Sequence, residues 1–161
     1  MIKYFILFSF VISSAFATED EIPVGVWFAR DRGLIEAPKH IVGISKGGVH
    51  GMVTASANRH KVPARIAHAV VKTESNYNCR ARSHAGAIGI MQTLPATARG
   101  VGVHGKLTDC AIGLEAGMRY LSQIVRQHGT GCAALGLYER GAYARPVCTS
   151  YGRKVVRLAS N

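Results

Sequence analysis

Glu74 is the residue in this chain best placed to move a proton. It ends a row, Ile66, Val70, Glu74, spaced four apart and flanked by Ala67 and Val71, so on a helix its carboxyl continues an apolar face. Near the C-terminus of such a helix a carboxyl is partly desolvated and feels the negative end of the dipole. Both effects disfavour ionisation and raise its pKa. A carboxylic acid kept protonated near neutral pH suits glycosidic cleavage, where the leaving oxygen needs a proton. The same position suits a Glu that only flanks a helix end, so the neighbours must decide. Ser75 follows directly, and Tyr138 and Tyr151 offer hydroxyls further along.

The elements that would hold these residues are mostly helical. Pro63 fits a first turn before the Glu74 row. A short helix is expected over Met52 to His60, and Asn76 to Ile88, polar and glycine-containing, reads as loop. Ile90-Met91-Gln92 reads as strand-like or irregular, and Pro95 to Arg99 as a short helix. Leu114, Met118, Leu121 and Val125 mark an amphipathic helix over roughly 111 to 128, stopped by Gly129-Thr130-Gly131. Cys132 to Glu139 predicts another helix, with Ala134 and Tyr138 four apart, and Tyr151 and Val155 sit on a last one. Little alternates as strands do, so the fold class is mainly α.

The N-terminus reads as a targeting segment. Lys3 gives a basic start, Tyr4 to Phe16 is apolar apart from three serines, and Ala15-Phe16-Ala17 is an A-x-A site. Residues 1–17 are therefore expected to be a signal peptide cut after Ala17, which places the protein in the periplasm or cell envelope. The run is short for a membrane anchor. Residues 18–51 carry many breakers and read as an arm or linker, with Trp27 beside Phe28 as an anchor onto the domain more than a sugar contact. Residues 52–161 form the single domain that this length allows. Export turns Cys79, Cys110, Cys132 and Cys148 into disulfide candidates. Three pairings are possible; Cys79–Cys110 and Cys132–Cys148 are favoured because each joins sequence neighbours. No cysteine spacing of two to four residues suggests zinc.

The formal charge of +11 comes from 20 Lys and Arg against 9 Asp and Glu. It points to a polyanionic partner. No stretch interleaves basic and aromatic residues as a nucleic-acid platform does, so nucleic acid is not the expected partner.

Glu74-Ser75 is followed by Ser83-His-Ala-Gly-Ala-Ile-Gly-Ile-Met-Gln92, which resembles the S-x-x-G-A-x-G-(L/I)-M-Q block of the soluble lytic transglycosylases. Pro95-Ala-Thr-Ala98 is similar to their P-x-T-A, and Gly117-Met-Arg-Tyr-Leu121 to their G-x-x-Y-L. Ala134-Leu-Gly-Leu-Tyr-Glu-Arg-Gly141 is similar to A-L-x-x-Y-N-x-G, and Tyr151-Gly-Arg-Lys-Val155 to Y-x-x-K-V. Each motif is short; their order along residues 60–157 carries the resemblance. It implies a lysozyme-like, mainly helical domain with a glycan groove that acts on peptidoglycan strands; a monomer without cofactor or metal is expected. Glu74 would be the lone general acid and then base. Ser75 would orient the site, and Tyr138 would hydrogen-bond Glu74. Gly89, Ile90, Met91 and Gln92 would form the groove wall, with Gln92 reaching the saccharide and Tyr151 lining the site. Plainer roles compete: core tyrosines with satisfied hydroxyls, glycines serving turns, Met91 as packing, Ser75 bonding back to its helix. The resemblance also implies that the product carries a 1,6-anhydro ring, closed by the sugar's own 6-hydroxyl.

One position departs from the family pattern. The family's Asn after the tyrosine, at a substrate-binding position, is Glu139 here, which alters the substrate contacts the resemblance implies there; as a second titratable group it would raise the pKa of Glu74 if it faced it, or else be solvated or paired with Arg140 or Arg145. A lysozyme-type hydrolase is the first alternative, weakened because the nearest downstream acids are Asp109 and Glu115. A non-catalytic wall-binding protein and a cationic antimicrobial or nucleic-acid-binding protein explain the motif series less well. Wall turnover, service to a secretion or conjugation machine, and phage release remain open as biological roles.

Overall fold

A computed structural model of the chain describes residues 48–161. The expected signal peptide, its Ala17 cut and the Trp27 anchor lie outside the described residues. The domain contains seven helices among those residues: α1 (Gly48–Arg59), α2 (Ala64–Glu74), α3 (Pro95–Gly100), α4 (Cys110–His128), α5 (Cys132–Leu135), α6 (Leu137–Arg140) and α7 (Ser150–Ser160). No strand forms among them; the only pairings are isolated bridges, Arg82 with Ile88 and Ile88 with Thr93.

α4 is the axis. Asp109 starts it by accepting from the backbone N–H groups of Ala111 and Ile112, and Gly129 closes it at φ 78°. Its inward row, Leu114, Met118 and Leu121, is buried, as the spacing expects. α1, α3, α5 and α6 pack against this helix, while α2 lies between α1 and α7. α2 buries Ile66, Val70 and Val71 in the same core. Gly117 of α4 lies directly against the side chain of Met91, where a Cβ would collide with it. That contact lets the loop after α2 sit close to the axis.

Two boundaries differ from the sequence reading. α1 begins at Gly48, ahead of the expected Met52, because Val49, Met52 and Val53 pack on the core and outweigh two glycines. The helix expected over Cys132 to Glu139 is divided at Gly136, whose Cα faces the Val147 carbonyl oxygen, 2.5 Å from where a Cβ would stand.

Disulfides join Cys79 to Cys110 and Cys132 to Cys148, with Cα separations of 5.1 and 4.9 Å. The first ties the loop after α2 to the start of α4. The second ties α5 to the segment before α7. In the chain-entropy account, closing loops of these lengths contributes ~3–4 kcal/mol each. Mass mapping of unreduced protein should recover both pairs, and native alkylation should label no thiol. Reduction should lower the melting temperature by on the order of 10 °C or more. Ready alkylation of the native protein would contradict the pairing.

Candidate active site

Glu74 is the last residue of α2, where the buried row of Ile66 and Val70 reaches the surface. Its carboxylate Oε1 accepts a hydrogen bond from the Tyr151 hydroxyl at 2.6 Å. Tyr151 lies in the first turn of α7, which Thr149 caps by accepting from the Gly152 N–H. Burial pushes the Glu74 carboxyl above its ordinary pKa; the Tyr151 bond opposes the rise, the Glu139 charge adds to it, and Lys154 opposes it. Burial raises Tyr151 and Tyr138 well above the usual phenol range, so both hydroxyls remain donors. With Oε1 taken by Tyr151, Oε2 is the oxygen left to carry and deliver a proton.

Tyr151, and not Tyr138, makes the hydrogen bond expected at Glu74. Tyr138 does not bond Glu74. It is buried on α6, and its hydroxyl donates to the Met91 carbonyl at 2.9 Å. Its ring stacks parallel to Tyr151, centroids 6.3 Å apart. The reason is depth: α6 packs on α4 and sets Tyr138 inside the core, whereas α7 packs along α2 and brings Tyr151 to the end of that helix. Tyr120 of α4 backs the pair, its ring 5.2 Å from Tyr138. Tyr120 and Lys154 were not singled out in the sequence, although both stand inside quoted motifs.

The loop facing α2 is held mainly through its backbone. Ser75 caps α2 and donates from Oγ to the Ile90 carbonyl at 2.7 Å. Its bond back to the Val71 carbonyl is longer, at 3.5 Å. Ile90 and Met91 are fully buried, so their side chains are not groove wall; their carbonyls anchor Ser75 and Tyr138. Gly89 is required twice over: its φ is 83°, and a Cβ would run into the Leu107 carbonyl oxygen. Gln92 is half-buried with φ 46°, and its Nε2 donates to the Gly89 carbonyl at 2.9 Å, which leaves its amide oxygen as the polar atom available to a ligand.

Other acids divide clearly. Asp109 is spent on the α4 cap. Glu115 accepts from Arg119 Nε at 2.7 Å and is bonded to His60 Nε2 at 2.9 Å. Glu139 is exposed, forms no ion pair among the described residues, and acts on Glu74 through its charge. The arrangement is one carboxyl whose pKa is raised by burial, oriented by one tyrosine, with no second carboxylate bonded to it among the described residues.

A family model described as the transglycosylase SLT domain matches residues 51–147. A curated relative, the transglycosylase of Enterobacteria phage PRD1, is 33% identical over 89 residues, which are 55% of this chain and 33% of that protein. The chain thus spans about a third of that relative's length. Among solved structures, an inactive mutant of the lytic transglycosylase Slt from Pseudomonas aeruginosa superposes with a TM-score of 0.60 at 20% identity, over 73% of this chain and 24% of that one. The last likeness shows a shared fold.

Two substitutions should move the Glu74 titration in opposite directions. Tyr151→Phe removes the bond that favours the carboxylate, so Glu74 should titrate higher still. Glu139→Gln removes a like charge, so it should titrate lower. Carboxyl-carbon NMR reads both, and parallel shifts would refute this account of the site. A folded-state pKa above the unfolded one contributes stability that is lost as pH rises through the folded value. Glu74→Gln should therefore be at least as stable as the parent at neutral pH.

Proposed function

We propose that this chain, which belongs to the transglycosylase SLT domain family, cleaves the β-1,4 bond between N-acetylmuramic acid and N-acetylglucosamine in peptidoglycan and leaves 1,6-anhydro ends. The observation that carries the reading is the solitary Glu74 carboxyl, whose pKa burial raises and whose Oε1 is held by the Tyr151 hydroxyl. In the first step Glu74 Oε2 gives its proton to the leaving glycosidic oxygen as the bond to the anomeric carbon breaks. The muramic acid's own 2-acetamido oxygen bonds to that carbon and takes the place of a protein nucleophile. In the second step the Glu74 carboxylate takes the proton of the 6-hydroxyl, whose oxygen bonds to the anomeric carbon and displaces the acetamido oxygen. No water enters, and Glu74 ends protonated as it began.

The supporting chemistry is consistent. Gln92 keeps an amide oxygen outside its bond to Gly89, and the surplus of +11 suits a substrate embedded in an anionic wall. The N-terminal apolar run with its A-x-A site supports export to the compartment where that substrate lies, and export suits the two disulfides. A hydrolytic reading keeps one specific support, Glu139, which could activate a water if it reached the anomeric carbon.

Glu74→Gln should fold and lose about 10²–10⁴-fold in turnover. Tyr151→Phe should lose about tenfold, the value of one hydrogen bond to a charged group. Mass spectrometry of digested peptidoglycan should find muropeptides lighter by one water than hydrolytic products. Reducing ends alone would establish hydrolysis, and glycan cleavage at parental rate by Glu74→Gln would remove Glu74 from the mechanism.

A further inference from the structure

A cleft of about 620 Å³ lies between the C-terminal ends of α1 and α3 and one flank of α4, and it shares no residue with the surroundings of Glu74. Its walls carry Arg59, Lys61, Arg119 and Arg126, with Gln123 and Gln127 beside them. Among the described residues a single carboxylate is paired here: Glu115, in an ion pair with Arg119 and hydrogen-bonded to His60. Some of the positive charge answers a local need. Arg59 ends α1, and Arg119 Nη1 donates at 3.2 Å to the carbonyl of Val101, just past α3. A helix C-terminus carries roughly half a negative charge, so two of them with Glu115 amount to about two negative charges. Four basic side chains line the same cleft. About two positive charges remain uncompensated.

Lys61 supplies an independent observation. Its φ is 56°, in the left-handed region. Its N–H bonds to the Asn58 carbonyl at 3.2 Å and that of Val62 to the Ala57 carbonyl at 3.0 Å, the helix-closing pattern whose left-handed position ordinarily holds glycine. Glycine would remove the backbone strain. The chain instead keeps a lysine there, exposed on the wall of the cleft.

We propose that this cleft is a second binding site, for a linear phosphate-bearing polyanion. Arginine forks pair with phosphate oxygens in bidentate fashion, and lysine adds a compact point charge. Arg119 and Arg126 stand seven residues apart on α4, about 10 Å along its axis, a separation that suits several anionic groups on one chain better than a single ion. The lining has no Trp, Tyr or Phe on which a base could stack, and the exposed large apolar side chains, Leu94, Tyr143 and Val147, lie outside it. Those facts disfavour single-stranded nucleic acid and insertion into lipid as its occupant. The site stands independently of the activity proposed for Glu74.

Titration of the full chain with sodium tripolyphosphate, followed by calorimetry and amide NMR, tests the proposal. Binding should saturate at one equivalent, weaken with salt, and shift amides around Arg59, Lys61, Arg119 and Arg126. The double variant Arg59→Gln, Arg126→Gln should bind about tenfold more weakly or worse. Arg157→Gln, on the exposed side of α7, should bind as the parent does. Lys61→Gly should bind several-fold more weakly while melting higher, a combination that a structural lysine would not give. Glycan cleavage should be unchanged in all of these. Shifts scattered over the basic surface, equal weakening by Arg157→Gln, or parental affinity in the double variant would overturn the site. Tighter binding per phosphate of a single-stranded oligonucleotide would overturn the choice of occupant.

Discussion

The hydrogen bond from Tyr151 to Glu74 joins side chains 77 residues apart, and almost every described element serves to close that distance. α2 carries the acid to its last turn, and α7 carries the phenol in its first. Neither helix is long, and each depends on packing for its place: α2 between α1 and α7, α7 against α5. The Cys132–Cys148 bridge holds the segment leading into α7, and Thr149 caps that helix two residues before Tyr151. The Cys79–Cys110 bridge does the corresponding work on the other side, where the loop after Glu74 returns to α4. A separation of 2.6 Å between two side-chain tips is thus set by backbone on both sides.

That bond also exposes a conflict within the site. Burial favours the protonated carboxyl, while a donor on Oε1 favours the carboxylate. Burial wins, but by a margin that a phenol and two neighbouring charges can adjust. A group that must give a proton and then accept one needs such balance, since an acid held too firmly in either form would perform only half of the cycle. Glu139 and Lys154 pull in opposite directions from α6 and α7, so the balance is distributed over two elements besides the one that carries the acid.

Side-chain periodicity made the scaffold legible in the sequence. The rows Leu114, Met118, Leu121 and Ile66, Val70 are buried as their spacing requires, because helical period and burial are the same fact seen twice. Glu74 stood out for the same reason, as a polar residue completing an apolar row. Ile90 and Met91 were harder: their part is played by carbonyl oxygens, and a backbone acceptor leaves no mark on residue type. The choice between Tyr138 and Tyr151 was equally invisible, since it depends on how deep α6 sits relative to α7. The start of α1 was obscured by glycines that read as breakers, although tertiary packing carried the helix through Gly51. The disulfide pairs were favoured because each joins sequence neighbours and closes a local loop.

Those bridges have a topological consequence. Cys79 to Cys110 and Cys132 to Cys148 each form a closed covalent ring, one containing Gly89 to Gln92 and the other Tyr138 and Glu139. A protease that nicks an exposed bond inside either ring, at the exposed Tyr143 for instance, opens the ring without releasing a fragment. The severed ends stay attached at both flanking cysteines, and the core contacts of Tyr138 need not dissociate. Surface cleavage and loss of the packing around Glu74 are therefore separate events for these two segments.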